Sequence, residues 1–202
     1  MNKKWGYSTS GIPDKEFIRG NVPMTKEEIR AIVMGKLRLE EDSLLVDVGA
    51  GTGSVSIEAA LRSQGGKVLA IECKEEAINL INKNKEAFGV ENLIIHKGRA
   101  GEIIKTLSSF NRIFIGGSGG EMEDIIKDAS IRLSAGGRIV ITSVTIESTS
   151  CALNLLKEYS FEEIDLVTIT VARGKNTGNY TLMEGQNPIT ILSATRGNLN
   201  EE

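Results

Sequence analysis

Aromatic residues make up only 4% of this 202-residue chain, which leaves few platforms on which a flipped or single-stranded base could stack. Positive charge is not in excess either: the formal net charge is −3 and the pI about 5.5, so a broad basic face for nucleic acid is not expected and a small-molecule partner is. No stretch approaches the roughly 18 apolar residues of a membrane span, and the opening MNKKWGYSTSGIPDK has no apolar segment behind its lysines, so it does not read as a secretory signal and a cytoplasmic location is expected. The two cysteines, Cys73 and Cys151, lack metal-ligand spacing. They read as reduced buried thiols, and no metal site is predicted. No Pro- or Ser-rich linker divides the chain, so residues 1–202 are expected to form a single domain.

What is present is an alternation. LLVDV (44–48), KVLAI (67–71), NLIIH (92–96), RIFIG (112–116) and RIVITSV (138–144) are short, nearly continuous apolar runs, as parallel strands covered on both faces should be. Between them, 53–63, 74–88, 119–134 and 146–158 carry apolar residues at helical spacing, with Met122, Ile125, Ile126, Ala129 and Leu133 on one face of the third. Gly89 and Gly136 stand where C-caps belong. Thr25 and Glu28 have capping-box spacing, which predicts a leading helix from Thr25. After Phe161 the helical pattern stops. Runs 163–173 and 188–195 are expected to pair antiparallel across a long connection containing Asn179 and Tyr180. The fold class is therefore α/β: a doubly wound, mostly parallel seven-stranded sheet ending in an antiparallel hairpin, with ligands expected beyond the carboxyl ends of the strands. Three stretches follow: an N-terminal substrate-side segment (1–24), a core (25–160) and the terminal hairpin (161–202).

Two glycine-rich turns fall at that edge. VDVGAGTGSVSIEAA (46–60) places Gly49, Gly51 and Gly53 between a strand and a helix, where missing Cβ atoms permit a tight turn and close approach of a ligand. A dinucleotide loop would need its third glycine at position 54, which is Ser54. Glu72 closes the next strand 23 residues after Gly49 (72 − 49), near the spacing of a carboxylate that takes ribose hydroxyls. The second turn, IFIGGSGGE (113–121), offers bare peptide at Gly116, Gly117, Ser118, Gly119 and Gly120. Such a turn presents N–H groups to an anion and lets a broad ligand come close. His96, the single histidine, reads as structural at a strand end.

Strand, glycine turn, helix, strand and terminal Glu in this order resemble the class I S-adenosylmethionine-dependent methyltransferases, over roughly residues 25–195. The resemblance implies that Gly49, Ala50, Gly51, Thr52 and Gly53 wrap the methionine end of S-adenosylmethionine, that Glu72 holds the ribose, and that Ala100 in GRAGE (98–102) lies beside the adenine. Asp47 reads either as an anchor for the glycine turn or as a satisfied buried carboxylate. Asn111 departs from the pattern, since many members carry an acid there.

GIPDKEFIRGNVPMTKEEIR (11–30) together with FIGGSGGE (114–121) is similar, more specifically, to the decarboxylating cobalt-precorrin C15-methyltransferases of anaerobic cobalamin synthesis. This resemblance implies methyl transfer to C15 of a tetrapyrrole fringed with carboxylates, loss of the C12 acetate carboxyl as carbon dioxide, Thr25 beside the methyl donor, and a homotetramer. The conjugated macrocycle supplies its own nucleophilic carbon, so positioning rather than a strong base is expected of the protein; no catalytic side chain is assigned, and Gly117, Ser118 and Gly119 form the loop at the reacting centre. Arg19, Lys26, Arg99, Arg173, Lys175 and Arg196 are candidate clamps for substrate carboxylates. Methylation of tRNA adenine or of protein isoaspartyl groups, and a binding module without catalysis, are the competing readings.

Overall fold

In a computed structural model, residues 5–197 are described. The five apolar runs form β1 (Leu44–Val48), β2 (Lys67–Glu72), β3 (Leu93–Lys97), β4 (Phe110–Ile115) and β5 (Leu133–Ser143). The intervening periodic segments form α2 (Ser54–Arg62), α3 (Glu75–Phe88), α5 (Met122–Arg132) and α6 (Ile146–Glu158), preceded by α1 (Glu27–Leu37). A single turn, α4 (Ala100–Ile103), is too short to leave a periodic signal. With β6 (Phe161–Ile169) and β9 (Ile189–Arg196) the main sheet has seven strands in the order β3-β2-β1-β4-β5-β9-β6, and all neighbours from β3 to β5 are parallel. β9 lies antiparallel to both β5 and β6.

Each core strand feeds both faces, which is why its sequence is apolar throughout. Leu45, Ala70, Phe114 and Val140 pack with α1, α2 and α3 on one side, while Val46, Ile71, Ile113 and Ile139 pack with α5 and α6 on the other. The chain builds outward from β1 to β3 and then returns to place β4 on the other side of β1. The crevice beyond the β1 and β4 ends is thus the point where the winding reverses, the position at which such sheets bind ligands.

Four expectations need correction. α1 begins at Glu27, and Thr25 does not cap it: the Glu27 N–H donates instead to Asp14 Oδ1 at 3.0 Å, a carboxylate delivered from the segment ahead. Gly136 lies within β5, not at a helix end; its φ of +74° serves a tight bend after Leu133, and α5 stops at Arg132. The connection between β6 and β9 folds into its own two-stranded ribbon, β7 (Ala172–Thr177) with β8 (Tyr180–Gly185), and Arg173 belongs to it. Both cysteines are exposed, Cys73 just past the end of β2 and Cys151 off the apolar face of α6.

No helix among the described residues is long and apolar enough to cross a membrane.

Candidate active site

The loop after β4 comes so close to the turn after β1 that this first turn could not carry a side chain toward it. Gly49, Gly51 and Gly53 adopt φ of +68°, +59° and +78°. A Cβ on Gly49 would lie 2.5 Å from the Gly117 carbonyl oxygen, and one on Gly51 would lie 2.7 Å from that of Pro23. Gly53 has another purpose: its missing Cβ admits Ile81 of α3 at 3.1 Å, so it packs the helix and leaves ligand approach to Gly49 and Gly51. Thr52 is fully buried and its hydroxyl faces the interior without a partner among the described residues.

Glu72 closes the other side. Its Oε2 accepts from the Gly51 N–H at 3.0 Å, and its Oε1 accepts from the Cys73 and Lys74 N–H groups at 2.9 and 3.0 Å. A carboxylate has about four acceptor directions. With three N–H groups bound, one direction remains, on Oε2, for a hydroxyl.

Beneath the turn, Asp47 is fully buried and accepts from Ser56 Oγ at 2.5 Å, while its Oδ1 has no partner among the described residues. Burial pushes its carboxyl up to about 7; the Ser56 hydrogen bond opposes that rise and the charge of Glu72 adds to it. Its partner is thus a helix hydroxyl rather than an amide of the glycine turn.

These parts enclose a cavity of about 540 Å³ lined by Gly49, Ala50, Gly51, Glu72, Gly116, Gly117 and Gly119, with Thr25 and Lys26 from the preceding segment. A smaller cavity of about 140 Å³ shares Gly49, Glu72, Gly117 and Gly119 and extends to Ser118 and Ala100. The structure therefore brings together the glycine turn, the terminal Glu, Thr25, Ala100 and the second glycine loop. That second loop is open: a Cβ on Gly117, Gly119 or Gly120 would meet nothing within 4 Å. Among the described residues the Gly117 to Gly120 N–H groups donate no hydrogen bond. Three carboxylates, Glu121, Glu123 and Asp124, crowd the start of α5, so the loop amides rather than the helix terminus are what an anion would meet.

The candidate cations separate. Lys26 lines the large cavity, 3.9 Å from Asp14. Arg19 is exposed and off its wall. Arg99 lines the smaller cavity and not the 540 Å³ one, with its guanidinium on Glu121 at 2.9 Å. Arg173 is held by Glu28 at 2.6 Å and Glu27 at 3.5 Å, and Lys175 pairs with Glu184 within the ribbon. Arg196 lies at the opposite edge of the sheet: Thr190 pairs with Ser143 at the cavity end of β5, and Arg196 is six residues further along β9, roughly 20 Å at strand rise.

Lys74 was not anticipated, although it lines the cavity and has no ion-pair partner among the described residues. Its signal was available, two positions past the Glu72 that ends a ligand-side strand. The cavity also takes Met24, Val144, Val171, Gln186 and Ile189. Val171 and Gln186 come from the base of the ribbon, where the Gln186 N–H donates to the Val171 carbonyl at 2.8 Å, and Ile189 opens β9. Asn179 and Tyr180 at the ribbon tip do not reach it. Asn111 accepts from the Leu44 N–H at 2.9 Å and tethers β1 to β4 without touching the site.

Comparison with known proteins agrees with this geometry. Residues 16–196 match the family model described as a precorrin methyltransferase domain. A relative from Pyrobaculum calidifontis named "Probable cobalt-precorrin-6B C(15)-methyltransferase (decarboxylating)" is 44% identical, over 94% of this chain and 98% of its own. One of the same name from Methanococcus maripaludis is 36% identical, over 91% and 98%. The crystal structure of precorrin-6y C5,15-methyltransferase from Geobacter metallireducens superposes with a TM-score of 0.87 at 34% identity, covering 92% of this chain and 98% of that one. On the match of sequence and fold, the chain belongs to the precorrin methyltransferase family.

Proposed function

We propose that this protein transfers the methyl group of S-adenosylmethionine to C15 of a cobalt-precorrin and releases the C12 acetate carboxyl as carbon dioxide, in cobalamin biosynthesis. The observation that carries the reading is the cavity itself: two glycine turns in van der Waals contact, an acceptor left free on Glu72, and relatives of that name aligned along nearly the whole chain.

The residues present fit the methyl donor. Gly49, Ala50 and Gly51 supply a cradle that a Cβ would fill, Glu72 Oε2 takes a ribose hydroxyl, and Ala100 bounds the smaller cavity where a flat base would lie. When bound, the donor supplies an electrophilic methyl on a sulfonium. The chain's own contribution is to hold and dry the reacting pair, an effect that can reach about 7–11 kcal/mol. Met24, Ile29, Val144, Val171 and Ile189 give the cavity apolar walls that exclude water. Lys26, Lys74 and the Gly117 and Gly119 amides receive the substrate's carboxylates. No side chain in the cavity is needed as a net base: the C–CO2 electron pair released with carbon dioxide is taken into the conjugated ring, C15 gives its pair to the methyl, and the one proton lost from the methylated carbon balances the one proton gained by the carbon that carried the carboxyl.

The chain works as one domain in the cytoplasm. The ribbon of β7 and β8, with Tyr180, Leu182 and Met183 exposed, supports a homotetramer in which that surface is covered by another copy.

The test is a mass measurement. Incubation with S-adenosylmethionine and the cobalt-precorrin should give a product that has gained one methyl and lost one carbon dioxide. Substrate returned at unchanged mass would defeat the proposal.

A further inference from the structure

The segment ahead of α1 forms one wall of the large cavity yet contains only a single 3₁₀ turn, Asp14–Glu16. Side chains of other elements therefore decide where it lies. Its two ends are fixed by a buried network. The fully buried Arg30 guanidinium donates to the carbonyls of Ile12 and Thr25 and to Glu58 at 2.6 Å, and the Glu58 carboxylate accepts from the Gly11 and Ile12 N–H groups, each at 2.9 Å.

Midway between those ends stands Asn84 of α3, which is 0% exposed. Its Oδ1 accepts from the Ile18 N–H at 2.7 Å, and its Nδ2 donates both to the Ile18 carbonyl at 3.1 Å and to the Thr52 carbonyl at 2.9 Å. One amide thus binds the strap as a β-bridge would and, with its remaining hydrogen, the glycine turn. The two-way bond with Ile18 also defines which end of the amide is which. A little further on, the Pro23 carbonyl rests on Gly51 where a Cβ would be 2.7 Å away. Strap and turn are therefore docked against each other, and Asn84 is the side chain that touches both.

We propose that Asn84 is a positioning residue that keeps the strap of residues 11–26 and the turn of residues 49–53 in one register, so that strap order and affinity for the methyl donor are two readings of one equilibrium. The inference rests on the reading of this cavity as the donor site. Aspartate at this position has the same shape and still accepts from Ile18, but it sets an oxygen against both carbonyls.

The test compares wild type with Asn84→Asp and, from the other partner, Ile18→Pro. Proline deletes the strap's N–H and leaves the Ile18 carbonyl for Asn84; Ile18 is 41% exposed, so little packing is lost with its side chain, and Phe17 at φ −90°, ψ 139° is already extended, as the residue before a proline must be. S-adenosylhomocysteine affinity is measured by calorimetry, and amide exchange of residues 11–26 by mass spectrometry, at a temperature where circular dichroism shows the variants folded. In wild type the ligand should slow exchange of the strap. In each variant the strap should exchange faster without ligand, and affinity should fall about tenfold or more. Faster strap exchange with unchanged affinity would overturn the coupling, and unchanged strap exchange would overturn the role of Asn84. Should Asn84→Asp not fold, Ile18→Pro decides between the same outcomes. A wild type that ignores the ligand would refute the donor reading instead, and the exchange comparison distinguishes that case because it needs no ligand.

Discussion

Replacing Asp47 by asparagine should change the pH dependence of stability in a defined direction. The carboxyl is sealed under the glycine turn, with Ser56 bonded to one oxygen and no partner for the other among the described residues. It titrates near 7 in the folded protein against 3.8 in the unfolded chain, a difference worth on the order of 4 kcal/mol. Because the folded value is the higher one, the fold holds a proton that the unfolded chain has released between those pH values. The associated stabilisation is complete below about pH 4 and is lost as the pH rises toward 7. Asparagine keeps the shape and the acceptor for Ser56 and cannot ionise. Urea unfolding of both proteins, followed by far-UV circular dichroism from pH 4 to 8, isolates the difference, since every other titrating group is common to the two. The wild type should lose up to about 4 kcal/mol relative to the variant across that range. Parallel curves would mean that Asp47 stays ionised in the fold, and the account of its burial would be wrong.

Gly49→Ala puts a Cβ at 2.5 Å from the Gly117 carbonyl and asks alanine to hold φ +68°. The left-handed backbone alone costs about 1–2 kcal/mol, so S-adenosylhomocysteine affinity by calorimetry should fall at least tenfold; an unchanged value would show that the two turns need not touch. Cys73 lines both cavities and Cys151 lies on α6, and both are exposed. Bound S-adenosylhomocysteine should therefore slow alkylation of Cys73, read by peptide mass, and leave Cys151 unaffected; equal rates for Cys73 with and without ligand would place the ligand elsewhere. Lys74→Gln removes an unpaired cation from the cavity wall. It should raise KM for the tetrapyrrole roughly tenfold while donor affinity holds, and a KM equal to wild type would remove Lys74 from the substrate site.

The core of this architecture was legible because burial on both faces forces an uninterrupted apolar run. LLVDV and RIFIG become β1 and β4 for that reason, and the glycines that follow mark where the backbones meet. What escaped depends on partners distant in sequence. Thr25 and Glu28 have the spacing of a cap, yet the cap of α1 is Asp14, thirteen positions before Glu27. GKNTGNYTLMEGQN has little apolar alternation, because β7 and β8 pair with each other away from the core and their register comes from the turn at Gly178 (φ +61°). Arg196 looked like a clamp only while the pairing of 188–195 with β5 was unknown; that antiparallel pairing carries it to the far edge. The buried thiols failed for a related reason, since neither cysteine falls on an apolar period. Asn84 gave no signal, because one polar residue in an amphipathic helix is indistinguishable from a surface residue until Ile18 and Thr52 arrive beside it.

The most direct measurement is a crystal structure of the protein soaked with S-adenosylhomocysteine. The account predicts the amino-acid end of the ligand over Gly49 and Gly51, a ribose hydroxyl on Glu72 Oε2, and the sulfur facing the Gly117 loop. Ligand density outside this crevice, or a crevice that stays closed to a ligand the protein binds in solution, would contradict it.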